Sequence, residues 1–167
     1  DIKLGYAKSK EIRDYRAETG EEPLWTNAMF SGMPAYQIST RSNGNLIQYI
    51  AKTISLGIPR PANLLFLYLL GFYLLLLSLK VDYRLSAVGA IAFSFSSYFF
   101  IIIMAGHMTK AHAIAYVPMV VAAALYTYRG RMILGGVLTA LAVALELYAN
   151  HLQITYYLVL VLILIGL

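Results

Sequence analysis

The chain has no cysteine, which excludes disulfide bonds and thiol chemistry and disfavours a zinc site. Charge is also scarce, because Asp, Glu, Lys and Arg together form 13% of the 167 residues, against about 25% in average soluble domains. The net charge of +5 does not indicate nucleic-acid binding, because the basic residues are scattered along the chain. A nucleotide-binding motif is absent as well, so nothing in the sequence indicates a bound nucleotide.

Apolar residues are in excess. They form 60% of the chain, against about 45–50% in soluble domains, and a core of this size cannot bury so many. About sixty mostly polar residues lead to Pro59, and long runs almost free of charge follow. The first run, residues 61–79, would rise about 28 Å as a helix, close to the thickness of the hydrocarbon core of a bilayer. The sequence therefore predicts a multi-span membrane protein with an extramembrane segment at its N-terminal end.

We predict an all-α fold: a polytopic transmembrane helix bundle with a long external N-terminal loop that contains short or amphipathic helices. The predicted spans are about 61–79, 85–105, 113–128, 132–149 and 154–167, the last one incomplete. The connectors between them are short, which makes successive helices antiparallel neighbours. The chain begins at Asp1 without methionine and stops inside an apolar run, so we expect a fragment of a longer membrane protein.

Residues 1–60 form the predicted external segment, and residues 61–167 form the transmembrane region. Mixed charges within 1–20 indicate a short helix, and the turn-forming and aromatic residues of 22–37 indicate an ordered loop. Apolar residues then recur at roughly helical spacing over 46–57. This last pattern predicts an amphipathic helix that lies in the membrane surface.

The distribution of Lys and Arg among the short loops predicts the orientation in the membrane. Connectors 80–84 and 128–131 carry four such residues, whereas 106–112 carries only Lys110 and 150–153 carries none. Because cytoplasmic loops are enriched in Lys and Arg, the first two should face the cytoplasm. The other two, together with the N-terminal segment, should face the outside, so polar features that are distant in sequence converge on the outer face.

Glu146 is the most unusual residue inside an apolar run. A carboxylate at that depth is costly and is by default a functional hypothesis, although a polar cap on a helix bundle is the alternative. Asn150 follows four residues later, so the two side chains would share a helix face near the outer end.

Histidine and lysine form a second cluster, made of His107, Lys110 and His112, and His151 brings all three histidines of the chain to the predicted outer face. These side chains suit the binding of a phosphate or diphosphate headgroup, and the alternative is interfacial residues that merely tolerate headgroups. His107 and His112 are five residues apart without a carboxylate nearby, so a metal site has only weak support and no metal ligands are assigned.

Acidic residues of the N-terminal segment could supply a catalytic base at the membrane surface, although most are expected to be solvated charges. They are Asp1, Glu11, Asp14, Glu18, Glu21 and Glu22. Trp25, Phe30 and Tyr36 form an aromatic loop in the same segment. Aromatic rings stack on sugars and also anchor loops at the lipid interface, and the interface interpretation is favoured here.

Four segments resemble the YfhO-type family of bacterial membrane proteins, in particular the long versions found in Bacteroidetes. They are TGEEPLWTNAMFSGMPAYQIS (19–39), RPANLLFLYLLGFYLLLLSLKVDYRL (60–85), GHMTKAHAIAYVPMV (106–120) and LELYANHLQITYYL (145–158). The likeness covers nearly the whole chain. That family is similar to the GT-C glycosyltransferases, which have many transmembrane helices and a large external loop that carries an acidic catalytic residue after the first helix.

The resemblance implies a glycosyltransferase of the bacterial cytoplasmic (inner) membrane. Such an enzyme moves a sugar from a polyprenyl-phosphate donor to an envelope acceptor glycan or lipid on the outer face, and a divalent metal ion remains an open option. The site residues that it implies are Asp1, or failing that Asp14, as catalytic base; His107, Lys110 and His112 at the lipid phosphate; and Glu146, Asn150 and His151 at the rim of the cavity.

The implied mechanism is direct displacement, in which the base deprotonates an acceptor hydroxyl that attacks the anomeric carbon with inversion. The alternative function is non-enzymatic: a transporter component, or a membrane subunit that organises an envelope assembly. A transporter would be expected to have charged or Gly/Pro-broken helices near the middle of the membrane. The predicted spans carry no charged residue at their centres, which favours chemistry at the membrane–water interface.

Overall fold

The computed structural model describes residues 7, 9–38 and 44–166. They form two compact units, an N-terminal unit (Asp1–Asn45) and a helical unit (Leu46–Leu167). The division lies earlier than residue 60, where the composition changes, because the apolar side chains of residues 47–54 pack against the core of the helices that follow them.

The N-terminal unit begins with a short helix, as the sequence predicts. Its elements are α1 (Lys10–Thr19), β1 (Trp25–Thr26), β2 (Met33–Pro34) and a 3₁₀ turn (Ala35–Gln37). Helix α1 ends at Gly20, whose φ of 74° suits glycine and whose backbone N–H donates to the Arg16 carbonyl. The two strands pair antiparallel, and Ile12, Thr26 and Ala35 are buried between the helix and the strand pair's loop.

The helical unit consists of apolar helices joined by tight turns. Its elements are α2 (Ile47–Ile54), α3 (Ala62–Ser78), α4 (Tyr83–Ser94), α5 (Ser97–Met104), α6 (Met108–Tyr128), α7 (Met132–Tyr148) and α8 (Leu152–Gly166). Within the part of the chain that the structure describes, two stretches are long and apolar enough to cross a membrane: Tyr83–Met104, which is α4 continued into α5, and helix α6. Helices α3, α7 and α8 are apolar but shorter.

A residue with positive φ ends each of the long helical stretches. Lys80 (φ 64°), Gly106 (φ 78°), Gly130 (φ 91°) and Asn150 (φ 55°) lie in the four connectors. A left-handed residue after the last turn lets the chain leave the helix axis at once, which is why connectors of a few residues suffice. Leu and Ala dominate the runs between these breaks and favour helix.

Aromatic contacts show that α3 runs antiparallel to α4. The rings of Phe72 and Phe93 stack with centroids 4.1 Å apart, and Leu76, one turn later on α3, contacts Gly89, one turn earlier on α4. Tyr68, one turn before Phe72, is stacked at 4.1 Å on a ring of α5. Helix α5 therefore continues the direction of α4.

Helices α3 and α6 run parallel and approach closely. The Tyr68 hydroxyl donates to the Ala111 carbonyl at 2.8 Å, in a fully buried position. One turn further, Gly71 faces Ala115, and a Cβ atom on this glycine would come within 2.9 Å of the Ala115 carbonyl oxygen. The absence of a side chain on Gly71 is thus what allows the two backbones to meet.

The alternating directions collect the helix ends into two groups. The histidine end contains the starts of α3, α6 and α8 and the ends of α5 and α7, that is residues 60–64, 104–112 and 146–155. The arginine end contains residues 78–84 and 128–132. The short connectors predicted this grouping, and it brings the two connectors with four basic residues to one end of the unit.

One helix start differs from the prediction. Helix α6 begins at Met108 rather than 113, because the small side chain of Ala111 packs fully buried against α3 although its neighbours are polar. Helix α2 forms where the apolar spacing predicts a helix, and Ile47, Ile50 and Ile54 pack against the core of the helical unit. Its place in a membrane surface stays a prediction.

Candidate functional site

The histidine end holds most of the side chains that the sequence singled out. The first two turns of α6 supply Lys110 and His112, and His107 precedes them as the residue before the helix. The last turn of α7 supplies Glu146, and the connector to α8 supplies Asn150 and His151. These residues lie at the same end of the unit because successive helices alternate in direction, although up to 44 positions separate them in sequence.

Lys110 is half-buried and lies over an aromatic ring. Its Nζ atom is 5.8 Å from the centroid of the Tyr98 ring on α5. An ammonium at this distance from a ring face is stabilised by the negative potential of the π-system. The interaction fixes the aliphatic stem but leaves the hydrogen-bond donors of the ammonium to other partners.

His112 is half-buried and is oriented by its own helix. Its Nδ1 atom lies 3.0 Å from the Met108 carbonyl oxygen, which can only accept, so in the neutral ring Nδ1 carries the proton and Nε2 is an acceptor. His107 is exposed, and its carbonyl accepts from the Ala111 N–H at 2.9 Å as the first backbone bond of α6. The three predicted phosphate ligands therefore surround the positive end of the α6 dipole.

Arg60 joins this group and was missed by the sequence analysis. It is exposed, directly precedes α3, and interacts electrostatically with His112 and with Tyr116, both on α6. The available signal was its position as the last cation before the first apolar run. It was counted with the N-terminal segment because only the packing of α3 beside α6 shows that it belongs to the histidine end.

Glu146 lies inside the contact between α7 and α8, with no exposed surface. Both of its carboxylate oxygens are 3.0 Å from the Thr155 hydroxyl, which donates one hydrogen bond to the pair. His151 interacts electrostatically with Glu146, and the Nδ1 atom of this histidine is buried without a hydrogen-bond partner in the described part of the chain. Thr155 was missed, and the signal for it is a hydroxyl one helical turn after His151 in an otherwise apolar run.

The predicted rim residues are therefore separated by the structure. Glu146 was expected to share a helix face with Asn150, but α7 ends at Tyr148 and Asn150 adopts a left-handed conformation in the connector, where it is exposed. A helical i, i+4 relation needs continuous helix, and the turn that reverses the chain removes it. Glu146 lies in the interior and Asn150 faces the outside of the unit.

The acidic residues of the N-terminal unit have diverse surroundings. Asp1 lies outside the described residues, and Asp14 is exposed on α1. Glu11 accepts hydrogen bonds from the Thr26 hydroxyl at 2.6 Å and from a backbone N–H at 3.1 Å, so it holds α1 to the loop. Glu22 forms an ion pair with Arg16 at 2.5 Å.

A metal centre has no geometric support within residues 7, 9–38 and 44–166. No group of three or more His, Asp or Glu side chains there lies close enough to hold one ion. The chemistry available at the histidine end is instead that of an anion site beside a buried carboxylate. Arginine, lysine and a helix N-terminus together favour phosphate.

Comparison with known proteins gives no family and no relative: neither a family model, nor a curated protein, nor a solved structure matches the chain.

Proposed function

We propose that this chain is part of a bacterial membrane glycosyltransferase of the YfhO type, with a GT-C-like fold, that transfers a sugar from a polyprenyl-phosphate donor at the outer face of the cytoplasmic membrane. The observation that carries the proposal is the meeting of Arg60, Lys110 and His112 at one end of the helical unit. Two cations, Arg60 and Lys110, beside a helix N-terminus match the needs of a lipid phosphate that accumulates charge as it leaves.

The outer surface of the helical unit supports a membrane location. Large aliphatic side chains are widely exposed on α4, α5, α7 and α8, among them Val88, Ile101, Met104, Ile133 and Leu164. Soluble monomers rarely expose contiguous apolar patches beyond a few hundred Å². In the proposal, lipid covers these side chains, α3 to α8 cross the bilayer, and the histidine end faces outward.

The proposed reaction is a single displacement. A carboxylate base, for which the resemblance to the YfhO-type family implies Asp1 or Asp14, takes the proton of an acceptor hydroxyl, and the hydroxyl oxygen attacks the anomeric carbon of the donor sugar. The bond from that carbon to the phosphate oxygen breaks, and the electron pair leaves with the polyprenyl phosphate. Lys110 and Arg60 stabilise the added charge, and the anomeric centre is inverted.

Glu146 has a positioning role in this proposal. Because its carboxylate is fully buried and bonded to Thr155, an acceptor hydroxyl cannot reach it without opening the contact between α7 and α8. Its contact instead ties the end of α7 to the start of α8, and so fixes where the connector that carries His151 lies. The base is therefore sought among the aspartates and not at Glu146.

A donor titration of the protein in nanodiscs tests the proposal. With a polyprenyl-phosphate sugar as substrate, Lys110→Met should raise the donor KM about tenfold, since one charged contact to phosphate is worth roughly 1.5 kcal/mol. It should also lower kcat, since the same ammonium stabilises the charge that develops on the leaving phosphate. Arg131→Met, at the arginine end, is the matched control and should leave KM unchanged. An equal KM for the Lys110 variant and the control would remove Lys110 from donor binding.

One observation favours the second candidate, a non-enzymatic membrane subunit or transporter component: the buried carboxylate of Glu146 is closed off from solvent. Intramembrane carboxylates of this kind also occur in proton and ion pathways. If no polyprenyl-phosphate sugar is turned over by the unsubstituted chain, this candidate replaces the glycosyltransferase. Full transfer by both Asp1→Asn and Asp14→Asn would instead remove the two aspartates from the mechanism.

A further inference from the structure

The N-terminal unit contains an open cleft between α1 and the loop that leads into β1. Its volume is about 570 Å³, within the ~300–1,000 Å³ typical of small-molecule sites. Tyr15 and Trp25 supply aromatic walls, and Glu11, Glu21 and Glu22 supply carboxylates. The cleft thus combines apolar ring surface with strong hydrogen-bond acceptors.

Trp25 is held as a fixed platform. Its exposed fraction is 56%, yet its Nε1 atom donates to the Asn27 side-chain oxygen at 3.2 Å. Gly32 lies directly against the ring, so closely that a Cβ atom there would come within 2.7 Å of Nε1. A large ring that is exposed but already oriented binds a partner without losing further side-chain freedom.

The three carboxylates of the cleft differ in whether they already have hydrogen-bond or ion-pair partners. Glu11 accepts from Thr26 and from the backbone of Asn27, and Glu22 is paired with Arg16. Glu21 is exposed, and its carboxylate has no hydrogen-bond or ion-pair partner among the residues that the structure describes. Three carboxylates against one guanidinium leave the cleft with an excess of negative charge.

We propose that this cleft binds an uncharged sugar residue. The polarised C–H groups on the face of a pyranose ring are attracted to the negative face of an indole, and its hydroxyls donate charge-assisted hydrogen bonds to carboxylates. The excess negative charge disfavours uronic acids and phosphorylated sugars. Insertion into lipid is disfavoured as well, because it would strip water from three carboxylates beside Trp25.

The assignment of this sugar as the acceptor of transfer rests on the proposed function, whereas binding itself does not. A neutral glycan held by the N-terminal unit would name the acceptor class as an unmodified envelope glycan. The two parts are separable, because binding can be measured without a donor and transfer can be measured without reference to the cleft.

The test uses the single tryptophan of the chain as its own probe. The chain in nanodiscs is titrated with methyl β-glucoside and, as a matched ligand, with methyl β-glucuronide, and the emission of Trp25 is recorded. The glucoside should give a saturable change, and the glucuronide should require about tenfold higher concentration because it adds a charge beside the carboxylates. Glu21→Gln should raise the Kd for the glucoside and reduce the difference in Kd between the glucoside and the glucuronide. Phe30→Ala, an exposed aromatic of the same unit outside the cleft, should change neither.

Three results would overturn the proposal. No saturable change with the glucoside, or an equal response to both sugars, would show that the cleft does not select an uncharged ring. Strong quenching of Trp25 by brominated phospholipid would show that the ring lies in the membrane interface instead. Loss of sugar transfer with binding intact would count against the proposed function alone, and loss of binding with transfer intact would count against the cleft alone.

Discussion

The two ends of the helical unit treat polar groups in opposite ways. At the arginine end, the basic side chains Lys80, Arg84, Arg129 and Arg131 are all exposed. The neighbouring hydroxyls of Thr127 and Thr139 donate to carbonyls of their own helices, at 3.0 and 2.8 Å. The two hydroxyls also lie 3.3 Å apart across the contact between α6 and α7, but each already has an acceptor within its own helix.

At the histidine end, polar atoms are buried, and only some of them have a hydrogen-bond partner. Glu146 has one hydroxyl for its two carboxylate oxygens, and the buried Asn63 Oδ1 and His151 Nδ1 atoms have no hydrogen-bond partner among the described residues. Because buried polar atoms are nearly always paired, each exception needs a reason. The arginine end is built for packing and solvated charge, whereas the histidine end retains costly polar groups where the proposed chemistry occurs.

The largest expected effect concerns the side of the membrane on which each end lies. Because the chain has no cysteine, single cysteines at Leu152 and at Met132, which are 75% and 76% exposed, report on the histidine and arginine ends separately. An impermeant maleimide should label Leu152→Cys in intact cells and Met132→Cys only after permeabilisation. The expected contrast is all or none, because short loops with an excess of Lys and Arg favour the cytoplasmic side.

The same labelling experiment also tests whether the basic residues set the orientation of the two ends. Replacing the four basic residues of the arginine end by Asn should yield a mixture of orientations, with both cysteines partly labelled. If Met132→Cys is labelled in intact cells and Leu152→Cys is not while the four basic residues are still present, the histidine end faces the cytoplasm. Transfer from an outward-facing lipid donor would then be impossible at that end.

A second prediction concerns packing at the arginine end. A Cβ atom at Gly135 would lie 2.6 Å from Cα and 2.7 Å from N of Thr127, which are backbone atoms that cannot move aside. Gly135→Ala should therefore lower the free energy of unfolding by about 2–3 kcal/mol through overpacking. Thermal unfolding in detergent, followed by circular dichroism, measures this loss.

The neighbouring glycine is the matched control. A Cβ atom at Gly136 meets nothing within 4 Å, so Gly136→Ala should be neutral or slightly stabilising, by up to about 1 kcal/mol through helix propensity. Equal effects of the two substitutions would mean that α6 and α7 do not approach as closely as the structure shows.

The sequence predicted the helices better than it predicted their contacts. The run 132–149 corresponds to Met132–Tyr148, and the run 154–167 corresponds to Leu152–Gly166. Length and hydropathy decide such segments, and both are local properties. The start of α6 was misplaced because its burial depends on Tyr68, which lies 43 positions earlier in the chain than Ala111.

For the candidate site, the sequence predicted which residue types take part but not the contacts between them. Glu146 and the histidines stood out because charge is scarce among apolar runs, and the alternation of helices brought them to one end as expected. Arg60 and Thr155 could not be found in that way, since each matters through a partner on another helix. Side chains that act through tertiary contacts leave no periodic signal in a single sequence.

The smallest expected effect on stability is that of removing one threonine hydroxyl, compared between the histidine end and the arginine end of the helical unit. Thr155→Val removes the donor to Glu146 and leaves a buried carboxyl group without its partner, which should cost about 1–3 kcal/mol in the free energy of unfolding. Thr139→Val, at the arginine end, removes a hydroxyl whose neighbour Thr127 keeps its own bond to the Ala123 carbonyl, so its cost should stay below about 0.5 kcal/mol.

A double variant separates the loss of a bond from the burial of an orphaned group. Glu146→Leu combined with Thr155→Val replaces both partners by apolar side chains, and it should recover most of the stability that Thr155→Val alone loses. Recovery would show that the contact between α7 and α8 needs no polar pair for its own stability. The carboxylate would then be retained at the histidine end for its effect on His151 and the connector. If the double variant is instead less stable than Thr155→Val alone, Glu146 serves to stabilise the contact between α7 and α8. The two ends of the helical unit would then differ in packing and not in function.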